Sequence, residues 1–170
     1  MIDLSGIVGD SIVDGPGIRI TIFSQGCPHH CPGCHNPETW AFDCGTKLEE
    51  EQIVEIVRSN PLCRGVTFSG GEPFAQAAGF ARLARLLKTL GYEVASYSGY
   101  TFEALLQGTP DQMDLLQNID ILIDGPFVQV EKSLELAFRG SRNQRILDVP
   151  MSLAAQEAVE TSSMRWLGEY

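Results

Sequence analysis

The chain has 170 residues, 44% hydrophobic and 20% charged, with twelve basic against twenty-two acidic side chains and a formal net charge of -10. Such a composition belongs to a globular protein, and its acidic balance works against nucleic acid, because binding to phosphate is driven by cationic side chains. No apolar run approaches the ~20 residues that span a bilayer, and Met1 to Ser5 lacks a basic stretch followed by an apolar block, so a cytoplasmic protein without a membrane partner is expected.

The length suits one domain over residues 1–170. Ile18 to Phe23 alternates branched apolar and polar residues and ends at Ser24-Gln25-Gly26, which predicts a strand delivering the chain into a cysteine-rich loop. A helix is predicted from Leu48 to Arg58, stopped by Asn60-Pro61, and Val66-Thr67-Phe68 reads as a strand that runs into Ser69-Gly70-Gly71-Glu72-Pro73. Phe80, Leu83, Ala84, Leu87 and Leu90 recur at helical spacing, with Gly91 as the stop. Tyr92 to Tyr97 is a further strand, Thr101 caps a short helix through Leu106, and Asp120 to Ile123 is a buried strand ending at Asp124-Gly125-Pro126. Strands alternating with helices imply α/β architecture with a mostly parallel sheet, and such sheets bind ligands at their carboxyl ends. Residues 127 to 144 are weakly patterned, 139 to 144 form a polar loop, and 150 to 170 carry no motif.

Five cysteines in a chain expected to be cytoplasmic, three of them within eight positions, argue for metal rather than disulfides. Cys44 and Cys63 stand alone and read as small hydrophobes. Cys27, Cys31 and Cys34 lie on a loop restricted by Pro28 and Pro32. A cubane held by protein alone takes four cysteines, so three leave one iron open to an exogenous ligand. The competing reading is a zinc site completed by His29, His30 or His35. Ser69 to Pro73 is either an ordinary strand-to-helix turn or a place where backbone approaches a ligand and Glu72 offers a carboxylate to an ammonium group. No lysine follows, so it is not a phosphate loop. Asp124-Gly125-Pro126 reads by itself as a turn.

The CxxxCxxC loop with its Gly-Gly-Glu-Pro turn resembles the radical S-adenosylmethionine enzymes, and Asp14-Gly15-Pro16-Gly17-Ile18-Arg19 is similar to the signature of those that activate glycyl radical proteins. Cys-Pro-Gly-Cys-His-Asn at 31 to 36, Thr39-Trp40, Ile123 to Phe127 and Arg139 to Gln144 are most like the members acting on anaerobic ribonucleoside-triphosphate reductase, over residues 14 to about 147. The resemblance implies a partial, open βα barrel, one 4Fe-4S cluster on Cys27, Cys31 and Cys34, and S-adenosylmethionine on its open iron. Reductive cleavage would then give methionine and a 5′-deoxyadenosyl radical that takes a hydrogen from a glycine Cα of the partner reductase. It implies cofactor contacts from Gly33, Cys34, His35, Gly70, Gly71, Glu72 and Asp124, and a low-potential donor such as flavodoxin or ferredoxin. Many relatives carry an aromatic residue before the third cysteine, where this chain has Gly33. Arg139, Arg142 and Asn143 read either as a partner-binding loop or as a solvated one. The alternatives are an activase for another glycyl radical enzyme, such as pyruvate formate-lyase, and a small zinc-binding interaction protein.

Overall fold

The computed structural model describes residues 1–168. Seven strands, β1 (Ile2–Ser11), β2 (Arg19–Ser24), β3 (Thr46–Leu48), β4 (Gly65–Gly70), β5 (Glu93–Tyr97), β6 (Ile121–Asp124) and β7 (Arg145–Asp148), form one sheet in the order β3-β1-β2-β4-β5-β6-β7. β2, β4, β5 and β6 are parallel neighbours at its centre, whereas β1 and β3 on one side and β7 on the other add antiparallel pairs. β3 and β7 stand at opposite ends of that order, so the sheet is open.

Alternation along the strands divides the sheet into two faces. Ile20, Ile22, Val66, Phe68, Val94 and Leu122 pack with three helices, α1 (Glu50–Arg58), α2 (Ala77–Thr89) and α4 (Pro110–Gln117), through Ile53, Val57, Phe80, Leu83, Leu87, Leu115 and Leu116. Between α2 and α4 lies the short α3 (Phe102–Leu106). A separate, smaller cluster joins Ala95, Ile121, Ile123 and Ile146 to Trp166 of α6 (Met164–Leu167). Burying a large apolar side chain contributes roughly 1.5–3 kcal/mol, so the helix-bearing face holds most of the stability.

The predicted elements at 18–23, 80–90, 92–97 and 120–123 are present with shifted ends. Leu48 belongs to β3, and α1 starts two residues later, where the Gln52 side chain accepts from Glu49 N at 2.8 Å. β1 was not predicted, nor was α4, whose Thr109 caps Gln112 N at 3.2 Å while the Gln112 side chain accepts from Thr109 N. The motif-free end holds α5 (Val149–Ala155), capped by Asp148, and α6 with its buried Trp166. Among the described residues no helix is long and apolar enough to cross a membrane.

Candidate functional site

β2 ends at Ser24 and turns into the cysteine loop, which is pinned at its root: Gly26 N donates to Thr39 O at 2.7 Å and Cys27 N to Trp40 O at 3.1 Å. Cys31-Pro32-Gly33-Cys34 closes as a turn, with Cys34 N donating to Cys31 O at 3.1 Å and Gly33 at φ 77°. Proline followed by a residue of positive φ is the pattern of a type II turn, which is why glycine stands at 33. A side chain there would also collide with Gln129, its Cβ falling 2.9 Å from Gln129 Cδ. Gly33 therefore sets the spacing of two cysteines and does not line the cavity beside them.

That cavity, about 360 Å³, lies at the carboxyl ends of the parallel strands. Cys27, Cys31, Cys34, His29 and His35 line it from the loop, Ser69-Gly70-Gly71 from β4, Tyr97-Ser98-Gly99 from β5 and Gly125 from the end of β6. Burial pushes the Cys27 thiol up from its ordinary value, against backbone hydrogen bonds from His29 and His30. Asn36 N donates to Cys34 Sγ at 3.4 Å, a bond that a thiolate strengthens.

Each histidine is engaged elsewhere. His29 Nε2 donates to Glu72 Oε1 at 2.6 Å, an oxygen that also accepts from Ser98 and Gly99, and its ring stands edge-on to Tyr100. His30 stacks on Trp40 at 4.7 Å, and His35 meets Phe127 edge-on at 5.2 Å. A tetrahedral zinc with ~2.3 Å bonds holds its sulfurs within about 4 Å of one another. Among the described residues the trio of metal-binding side chains with all ligand atoms within 4.8 Å is Glu49, Glu50 and Glu51, so the three cysteines, alone or with a histidine, stand wider than a single ion requires. A cubane gives each thiolate its own iron and accepts wider spacing, so the donor set fits a cluster better than zinc.

The glycines of the turn serve the chain itself. A Cβ on Gly71 would fall 2.3 Å from Gly26 O, and one on Gly70, which has φ 88°, 2.7 Å from Ser24 N. Gly71 N and Glu72 N donate to Ser24 O and Gly26 O, each at 2.8 Å, so the end of β4 lies directly against the root of the cysteine loop. Glu72 is fully buried and does not line the cavity. Its Oε1 accepts from His29, from Ser98 Oγ at 2.9 Å and from Gly99 N at 2.8 Å, and its Oε2 from Phe74 N at 3.0 Å. The carboxylate expected to face a ligand is bonded here to the chain itself, joining the cysteine loop, the turn after β4 and the end of β5. Asp124 behaves alike: 1% exposed, it accepts from Phe102 N at 2.8 Å and from Arg145 Nε and Nη2 at 3.1 and 2.6 Å.

Residues 14 to 19 divide between cavity and framework. Asp14 lines the cavity and accepts from Ser11 and Thr21 hydroxyls. Arg19, fully buried, donates to Thr67 Oγ1 at 2.9 Å and Glu93 Oε1 at 2.8 Å, and its guanidinium lies 5.1 Å from the Trp166 ring centre. A Cβ on Gly15 would come 2.7 Å from Arg19 Cδ, which accounts for the glycine.

The family described as "4Fe-4S single cluster domain" matches residues 13–147. The chain belongs to that family. It is 36% identical over 141 residues to the anaerobic ribonucleoside-triphosphate reductase-activating protein of Escherichia coli (strain K12), covering 78% of this chain and 90% of the relative. The protein of that name from Enterobacteria phage T4 is 32% identical over 142 residues, covering 79% and 86%. A crystal structure of QueE from Escherichia coli overlaps 59% of this chain and 53% of its own at TM-score 0.48 and 21% identity, too distant to bear on the site. As a single-cluster member, the chain presents its one cysteine trio on one cavity, with exposed Cys44 and buried Cys63 outside its lining.

Sequence reasoning missed Ser98-Gly99, Trp40 and Tyr97 as cavity walls. The first had a signal, since Ser98-Gly99 directly follows a predicted strand at the carboxyl edge where such sheets place ligands.

Proposed function

We propose that this chain is a cytoplasmic activating enzyme that raises a glycyl radical on an anaerobic ribonucleoside-triphosphate reductase, using S-adenosylmethionine at a 4Fe-4S cluster. One observation carries the reading: three thiols share a single cavity with the Gly70-Gly71 and Ser98-Gly99 turns, in a chain that matches activating proteins over most of their length. Cys27, Cys31 and Cys34 hold the cluster. Gly70-Gly71 and Ser98-Gly99 take the methionine end of the cofactor with backbone groups, and His35 borders the nucleoside. Gly33, Glu72 and Asp124 work from behind the wall, the first by shaping the turn, the others by fixing the strand ends. When bound, cluster and cofactor together supply one-electron cleavage of a carbon–sulfur bond and a radical able to take a hydrogen atom from a glycine Cα. Flavodoxin or ferredoxin would provide the electron.

The test is anaerobic. Protein loaded with iron and sulfide, mixed with S-adenosylmethionine, a low-potential reductant and the reductase, should give a glycyl doublet in the paramagnetic resonance spectrum. A loaded protein that gives no doublet on the reductase, but gives one on another glycyl radical enzyme, would overturn the assignment of the partner.

A further inference from the structure

Residues 128 to 142 leave the sheet as an arm folded back on itself. Arg142 N donates to Glu131 O at 3.0 Å, Ser133 N to Gly140 O at 3.3 Å, and Lys132 pairs with Ser141. The inner side of the arm is cavity wall, through Leu136, Phe138, Arg139 and Gly140. Its outer side is unusual in two independent ways.

The first is apolar exposure. Among the described residues the four most exposed large hydrophobic side chains are Val130 at 93%, Leu134 at 89%, and Ile12 and Val13 at 71% each. Two stand on the arm and two on the β1–β2 connection, whose Val13 lines the same cavity. Scattered apolar residues are ordinary on a surface, but here the most exposed ones fall on two segments that each contribute wall to one cavity.

The second is charge. Of the twelve basic residues, eight are in ion pairs among the described residues; the others are Arg64, Lys132, Arg139 and Arg142. Three of these four fall on the arm, Arg139 on its cavity side and Lys132 and Arg142 exposed, against Glu131 and Glu135, in a chain whose net charge is -10. Cations without partners beside exposed apolar groups fit an acidic polypeptide with apolar side chains, and they offer it attraction that the rest of the surface opposes.

We propose that the arm and the tip of the β1–β2 connection dock the reductase, gripping a segment that carries carboxylates and an apolar side chain close to the glycine to be activated. This rests on the functional reading above. The choice of reductase over electron donor follows from continuity: the arm and the β1–β2 connection also supply cavity wall, through Val13, Leu136 and Arg139, so the surface proposed to dock is continuous with the site that the glycine has to reach.

The experiment uses cluster-loaded protein. Two double variants, Lys132→Glu with Arg142→Glu and Val130→Ser with Leu134→Ser, are compared with the native chain for reductase affinity, iron content and reductant-driven cofactor cleavage without the reductase. Each should weaken reductase binding about tenfold or more, with the charge effect shrinking at high salt, and leave iron and uncoupled cleavage as in the native protein. Native affinity in both variants would overturn the docking surface, as would native affinity with slowed reduction by an acidic donor. Loss of iron or uncoupled cleavage in both would also overturn it, since the arm would then belong to the cofactor site. If the native chain activates no reductase at all, the functional reading fails first and the arm loses its occupant.

Discussion

His29 Nε2 lies 2.6 Å from Glu72 Oε1, which joins a residue between the first two cysteines to the turn after β4. The same oxygen accepts from Ser98 and Gly99, so one buried carboxylate ties three cavity walls together. Removing it strands several buried or half-buried donors, at about 1–3 kcal/mol for each group left unsatisfied.

Glu72→Ala should therefore lose on the order of 2 kcal/mol or more of stability, a fall of roughly 4–8 °C in melting temperature for a chain of this size. Binding of S-adenosylmethionine should weaken with it, while Glu72→Gln, which keeps an acceptor oxygen, recovers part of both. Calorimetric melting beside cofactor titration checks this, and an unchanged melting temperature would remove Glu72 from its bracing role.

Cys31→Ser should abolish the stable cluster, read as loss of iron and of the visible absorption after anaerobic reconstitution. Cys44→Ser should leave both intact, because Cys44 is exposed and outside the cavity lining. Equal iron in the two variants would refute the ligand set.

Arg19→Lys should destabilise the chain by about 3 kcal/mol, although charge is conserved. Lysine has no planar fork to reach Thr67, Glu93 and the carbonyls of Pro16 and Val66 together, and it stacks less well on Trp166. Denaturant unfolding gives the value; a loss below ~0.5 kcal/mol would show that the buried guanidinium is replaceable.

Stability should also fall in acid through Glu103. The hydrogen bond from Arg145 holds its carboxyl below the ordinary glutamate value, against a smaller upward push from burial. A lowered folded value contributes stability that is present above the unfolded pKa of ~4.3 and disappears as pH drops through the folded one. The gap in urea midpoint between native and Glu103→Gln chains should be open at neutral pH and close below about pH 4. A gap that stays constant from pH 7 to 3 contradicts the pair.

The parts of the fold that could be read from sequence are those whose cause is local. The strand before the cysteine loop and the helix through Phe80, Leu83 and Leu87 announce themselves by period, and the cysteine trio by spacing. β1 escaped because Gly6 and Gly9 interrupt its alternation and its pairing partners lie in β2 and β3. Glu72 could be read as a position beside a turn, and it does cap the turn through Phe74 N, but its longer-range partners, like those of Asp124, could not be read. Their donors sit 26 and 27 residues away at Ser98 and Gly99, and 21 residues away at Arg145, and no pattern along the chain reports such meetings.

Gly33 rests against Gln129, with no side chain of its own between the cysteine turn and the foot of the arm. A partner that shifts the arm on docking would press on the turn that spaces Cys31 from Cys34. Linkage makes such a coupling reciprocal: if docking tightens or loosens the metal site, loading the metal site changes the affinity for the partner by the same factor. On the docking proposed here, this contact is where the affinity for the reductase and the loading of the cluster would be coupled.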